Sequence, residues 1–221
     1  MYEFTLLRHA ESQGNLDKKH QGQAEYPLTE LGRQQAAALA ARWQQDGVQF
    51  TRVFASPLLR ARTTAEIVSQ AVNAPLEIDP MLAERHLGEL TGLTHAVASK
   101  QVPPPPFLTP YEPYGNTGEG QWQLFLRAGQ VLHNLLSQPR GKYLVVSHRG
   151  FLGMLMYAIL GISPHANFQG PRFHFQNTGY ARLTYDTHNH QWRMFAFNDL
   201  SHLGELPVSS LLVPTQAQYG E

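Results

Sequence analysis

Two short apolar runs, each ending in a histidine, constrain this chain more than any other feature. Residues 3–7 (EFTLL) lead straight into Arg8-His9, and residues 143–147 (YLVVS) lead into His148-Arg149-Gly150. Runs this short, rich in aromatic and branched side chains and closed by polar turns, read as buried strands. Near-continuous apolar strands belong to a parallel sheet covered on both faces. Open parallel sheets bind ligands outside the C-terminal ends of their strands, which is where both histidines stand.

The remaining pattern agrees. Residues 10–28 are polar loop with at most a helical turn. Thr29 reads as an N-cap with Glu30 in the first turn, and Ala36, Leu39, Ala40 and Trp43 follow on one helical face, with Gly47 closing the helix. Residues 51–55 read as a strand. Ser56-Pro57 then predicts a helix start, Ser as cap and Pro as first helical residue, with Ala61, Ala65, Val68 and Val72 as its apolar face. Residues 76–78 are a short strand, and residues 81–102 mix helical and turn signals without clear boundaries. Residues 103–120 hold a PPPP run, further prolines and GNTGEG, which no continuous element survives. Trp122 to Leu136 is a helix, as is Phe151 to Leu160 ending at Gly161. Residues 179–185 and 192–198 form a hairpin around DTHNH.

Strand–helix repetition closing on an antiparallel pair predicts an α/β fold. It has three α-β-α layers, a mostly parallel central sheet with helices on both faces, and an antiparallel strand near the C-terminal end. The expected organisation is one domain over residues 1–203, with 93–120 as an inserted loop or flap and 204–221 as a C-terminal tail.

Composition narrows the function. The 221 residues carry 17 basic and 17 acidic side chains, so a broad nucleic-acid-binding face is excluded while a local basic pocket is not. Hydrophobic residues make up 42%, enough for a full core. Cysteine is absent, which removes disulfides, thiol catalysis and cysteine metal sites and fits a cytoplasmic protein. No apolar run approaches the roughly 18 residues of a membrane helix, and the N-terminus lacks a signal-peptide pattern, so no membrane partner is expected.

Arg8, His9 and His148 lie at strand ends, and Arg60 lies in the first turn of a helix after a third strand. Two guanidinium forks, two imidazoles and a helix N-terminus at one sheet edge suit a phosphoryl group. A histidine after a strand is ordinarily a hydrogen-bonded turn residue, and a single arginine is ordinarily solvated. The convergence of four such residues is the signal.

The ordered motifs sharpen it. Arg8-His9-Ala10-Glu11-Ser12 with Asn15 is followed by Gln21-Gly22, Pro27-Leu28-Thr29-Glu30-Leu31-Gly32 and Ser56-Pro57-Leu58-Leu59-Arg60-Ala61. Leu82-Ala83-Glu84 with Gly88 and Gly92, Val146-Ser147-His148 with Gly150, and Asn198-Asp199 with His202-Leu203 complete the set. Over roughly residues 6–203 the chain resembles the histidine phosphatase (phosphoglycerate mutase-like) superfamily. Ala10 replaces the usual glycine, and Glu11 is a variant.

The resemblance implies a phosphomonoester hydrolase acting through a phosphohistidine on His9. A nucleophilic histidine must be neutral, and adjacent Arg8 disfavours its cation. Arg8, Arg60 and His148 would bind the phosphoryl group, His148 as a cation once phosphate is bound. Glu84 would be general acid and then base, since a carboxyl beside bound phosphate holds its proton more readily. Asn15, Gln21, Gly22, Arg85 and Arg149 would contact substrate, and Tyr111, Tyr114 and Glu119 are further candidate contacts.

The alternative is a mutase interconverting 2- and 3-phosphoglycerate, which alone would require 2,3-bisphosphoglycerate as cofactor. Family mutases carry a lysine past the motif glycine and an arginine pair before a proline-rich stretch. Here His95 stands near the lysine position, and Lys100-Gln101-Val102 precedes Pro103. Residues 113–127, with Gly-Glu before a helix carrying Arg127, fit the phosphatase branch. A non-catalytic phosphate-binding module is the lesser alternative. The other histidines show no metal-ligand spacing, so no metal is expected. The expected partner is a small phosphorylated molecule, and the oligomeric state stays open, with a homodimer as one option.

Overall fold

The computed structural model describes residues 1–103 and 105–208. Six strands form one sheet: β1 (Tyr2–Arg8), β2 (Arg52–Ala55), β3 (Leu76–Ile78), β4 (Lys142–Ser147), β5 (Tyr180–Asp186) and β6 (Gln191–Asp199), in the order β3-β2-β4-β1-β5-β6. The first four pair in parallel, while β5 runs antiparallel to both β1 and β6. The expected α/β fold is the one observed.

Alternation along the central strands builds two cores. Phe4, Leu6, Tyr143 and Val145 face α5 (Gln121–Leu136) and α6 (Arg149–Leu160). Leu7, Leu144 and Val146 face α2 (Glu30–Gln45) and α3 (Leu59–Ala71), where Leu39, Trp43, Ala61, Ala65 and Val68 are buried. Thr29 caps α2 by accepting from the Gly32 amide at 2.9 Å, and Gly161 ends α6 at φ +67°.

Residues 10–28 are, as expected, loop with one helical turn, α1 (Gln13–Leu16). Two readings need revision. Helix α3 starts at Leu59 rather than at Pro57: Leu58 is its extended N-cap residue, while the Ser56 hydroxyl meets His148 Nε2 and accepts from the Leu58 amide at 3.3 Å. The 93–120 segment is not all loop: Thr94 caps α4 (His95–Gln101), accepting from the Val97 amide at 3.3 Å. Of the expected tail, residues 204–208 are described, with the Pro207 carbonyl accepting from Gln35, and 209–221 lie outside the described residues. No described helix is long and apolar enough to cross a membrane.

Candidate active site

Register brings the site together. Arg8 on β1 is paired with Ser147 on β4, and the His9 amide donates to the Ser147 carbonyl at 3.0 Å. The next residue on β4's side is His148, so the two imidazoles lie side by side with ring centroids 5.1 Å apart. Both are buried. His9 Nδ1 stands 2.7 Å from the Ala10 carbonyl oxygen. A carbonyl only accepts, so Nδ1 carries the proton and Nε2 keeps its lone pair. His148 Nε2 meets the Ser56 hydroxyl at 2.7 Å, and its Nδ1 is buried without a protein partner.

Two arginines flank the pair. Arg8 donates to the Phe175 carbonyl at 2.9 Å. Arg60, only 1% exposed, donates to the carbonyls of Ala24 at 2.8 Å and Gly22 at 2.7 Å. Gly22 has φ +51°, a conformation that favours glycine. Each guanidinium keeps its Nε buried and unpartnered. Burial, then the neighbouring Arg149, presses Arg8 down to about 9, and burial presses Arg60 to about 10, so both stay charged at neutral pH. Burial first, then Arg60, holds both His9 and His148 well below the usual histidine value. Both imidazoles are therefore neutral near pH 7.

Glu84 closes the site from another element. Its carboxylate accepts from the amides of Gly150 at 3.0 Å, Phe151 at 2.9 Å and Arg85 at 2.8 Å, so it sits on the first turn of α6. Arg127 on α5 anchors that segment through the Met81 and Ala83 carbonyls, both at 2.7 Å.

Arg8, His9, Arg60 and Glu84 line one cavity of about 440 Å³, together with Asn15, Gln21, Gly22, Arg85 and Arg149. His148 lies behind that wall, beside His9. Asn15 and Gln21 are tied to one another through Ser12, whose hydroxyl lies 2.9 Å from Asn15 Oδ1 and 2.7 Å from Gln21 Oε1 and shares its one proton between them. Tyr114 lines the cavity, whereas Tyr111 packs on Trp122 and Glu119 pairs with Arg127, so neither of these two reaches it.

A family model, Histidine phosphatase superfamily (branch 1), matches residues 4–199. The chain belongs to the histidine phosphatase superfamily. Within it, a relative from Escherichia fergusonii named probable phosphoglycerate mutase GpmB is 32% identical over 223 residues, covering 92% of this chain and 95% of the relative. Among solved structures, YhfR of Bacillus stearothermophilus superposes with a TM-score of 0.79 at 27% identity, covering 92% of this chain and all of that one. A mycobacterial glucosyl-3-phosphoglycerate phosphatase in complex with VO3 gives 0.74 at 29% identity, covering 90% and 99%.

This superfamily member also uses residues its sequence does not announce. Asn177 donates to the His9 carbonyl at 2.9 Å and to Asn15 Oδ1 at 3.3 Å, fixing the loop that follows β1. His20 and His95 meet at 3.0 Å at the cavity wall, where the 18–20 loop pairs with the 92–95 segment. Arg172 and His174 line the far side, His174 accepting from Arg149. None of these carries a local pattern, because each acts through a contact distant in sequence.

Proposed function

We propose that the chain is a phosphomonoester hydrolase acting through a phosphohistidine on His9. The observation that carries this reading is the His9 ring, with Nδ1 held by the Ala10 carbonyl and Nε2 free among buried cations. Nε2 attacks phosphorus and the ester P–O bond breaks. Arg8, Arg60 and His148 take the phosphoryl oxygens, through donors that have no protein partner. A phosphate dianion reverses the local field and lets His148 hold a proton on Nδ1. Glu84 protonates the leaving alkoxide, then takes a proton from water as that water attacks the phosphohistidine and releases phosphate. Asn15, Gln21, Gly22, Arg85 and Arg149 hold the substrate. The step needs no metal and no organic cofactor.

A second reading, phosphoglycerate mutase with 2,3-bisphosphoglycerate, is favoured by the name of the curated relatives. Against it stands His95, near the position where family mutases have lysine: burial holds His95 below its ordinary value, so it supplies no fixed cation. A phosphorus NMR time course separates the two. The chain is given 3-phosphoglycerate with catalytic 2,3-bisphosphoglycerate, alongside a phosphomonoester panel, with His9→Ala as control. Inorganic phosphate rising with wild type alone is the expected result. Conversion to 2-phosphoglycerate without phosphate release would replace the hydrolase by the mutase.

A further inference from the structure

The cavity holds more positive charge than one phosphoryl group uses. Beyond Arg8 and Arg60, its wall carries Arg149 at the start of α6 and Arg172 and His174 from the segment that folds back over α6. That segment is tied to the helix by the Tyr157 hydroxyl, which donates to the Pro171 carbonyl at 2.8 Å. Arg149 donates to His174 Nδ1, so the neutral imidazole carries its proton on Nε2 and is itself a donor. Burial is the first cause that lowers the proton affinity of both Arg149 and His174; Glu84 offsets it for Arg149, and the nearby charge of Arg172 adds to it in both. Among the described residues no carboxylate forms an ion pair with Arg149 or Arg172. Glu84 is the acid on the cavity wall, and both its oxygens are already engaged by backbone amides.

We propose that Arg149, Arg172 and His174 form a second oxyanion seat, and that the substrate is a phosphomonoester whose body carries its own carboxylate or second phosphate. The proposal rests on the phosphoryl seat read above. Like cations held on one wall repel each other until an anion lies between them, and a guanidinium fork matches either oxyanion. Met154, Tyr157 and Phe173 line the same side and give the body between the two acidic groups an apolar surface.

Binding to His9→Ala by calorimetry tests the seat without requiring turnover. Glycerol 3-phosphate is compared with 3-phosphoglycerate, which adds a carboxylate, and fructose 6-phosphate with fructose 1,6-bisphosphate, which adds a phosphate. At least one doubly acidic member is expected to bind about tenfold more tightly than its partner, and which pair shows the effect names the group. Arg172→Gln in the same background is expected to bring that ratio below about threefold. Arg172 is exposed, so the fold should survive, and a thermal melt checks it. Arg149→Gln is the second variant. Ratios near one in both pairs, or ratios unchanged by both arginine variants, would overturn the seat. Release of phosphate from the same four compounds by wild type is followed in parallel. A retained binding ratio without any phosphate release would sink the hydrolase reading and leave the seat standing.

Discussion

Arg127 grips Glu119 with two donors, Nε to Oε1 at 2.8 Å and the guanidinium NH2 to Oε2 at 2.7 Å, while its other arm holds the carbonyls of Met81 and Ala83. The guanidinium also lies 4.9 Å from the Phe151 ring centroid. One side chain on α5 thus fixes the segment that ends in Glu84 and the loop that ends in Glu119. Both partners are mostly buried.

Removing that grip strands a largely buried carboxylate and two carbonyls. Arg127→Ala is expected to lower unfolding free energy by about 2–4 kcal/mol, read by urea denaturation. It should also lower kcat, because Glu84 loses its support. Unchanged kcat at a temperature where the variant is folded would mean that Glu84 is positioned by α6 alone.

Acid should weaken the fold. His9, His148, His20, His95, His174 and His202 all have proton affinities below the usual histidine value, with burial the first cause in each. For a histidine held down, the unfolded chain binds the proton first. Stability is therefore complete above about pH 6.5 and falls as pH drops from there toward the folded values, about 4 for His20 and His202. The melting temperature in phosphate-free buffer is expected to fall steadily between pH 7 and pH 5. The acid limb of kcat/KM is expected well below pH 6.5, since His9 stays neutral there. A limb centred on 6.5 would contradict the burial argument.

Gly150 is a test of clearance. A Cβ there would stand 2.6 Å from Glu84 Oε1, and that oxygen is held by two backbone amides. Gly150→Ala must push the carboxylate aside. An expected loss of about a hundredfold in kcat, with an unaltered circular dichroism spectrum, would follow from a displacement of about 1 Å.

Turnover should persist in excess chelator. Among the described residues no group of three or more histidine, aspartate or glutamate side chains is placed to hold a metal ion. Phosphate release assayed with and without EDTA is expected to agree, and a loss reversed by a divalent cation would demand a different mechanism.

Strand periodicity and strand-end residues made the centre of this site readable. Arg8, His9 and His148 follow directly from where β1 and β4 stop, and the parallel register makes their meeting a necessity. Arg60 is readable although the expected helix start differs, because a start at Leu59 or at Pro57 leaves Arg60 in the first turn either way. What the Ser56 hydroxyl does was not readable: it serves a histidine on another strand. The His20–His95 contact and the Arg149–Arg172–His174 cluster escaped for the same reason. Each joins segments far apart in sequence, and neither segment carries a repeat that would mark it. Glu119 is a candidate substrate contact by its place in the loop before α5, yet its charge is answered by Arg127, eight residues further on.

The sheet order has a consequence for the growing chain. His9 directly follows β1, but that strand ends up between β4 and β5, which come later in the sequence. Until β4 arrives there is no His148, no Ser147 carbonyl for the His9 amide and no α6 to receive Glu84. Closing so long a loop is slow relative to local helix formation. A ribosome-bound chain halted before β4 therefore carries His9 without the pocket that surrounds it in the folded protein. On the proposed function, turnover cannot begin until β4 and α6 have been made and have docked on β1.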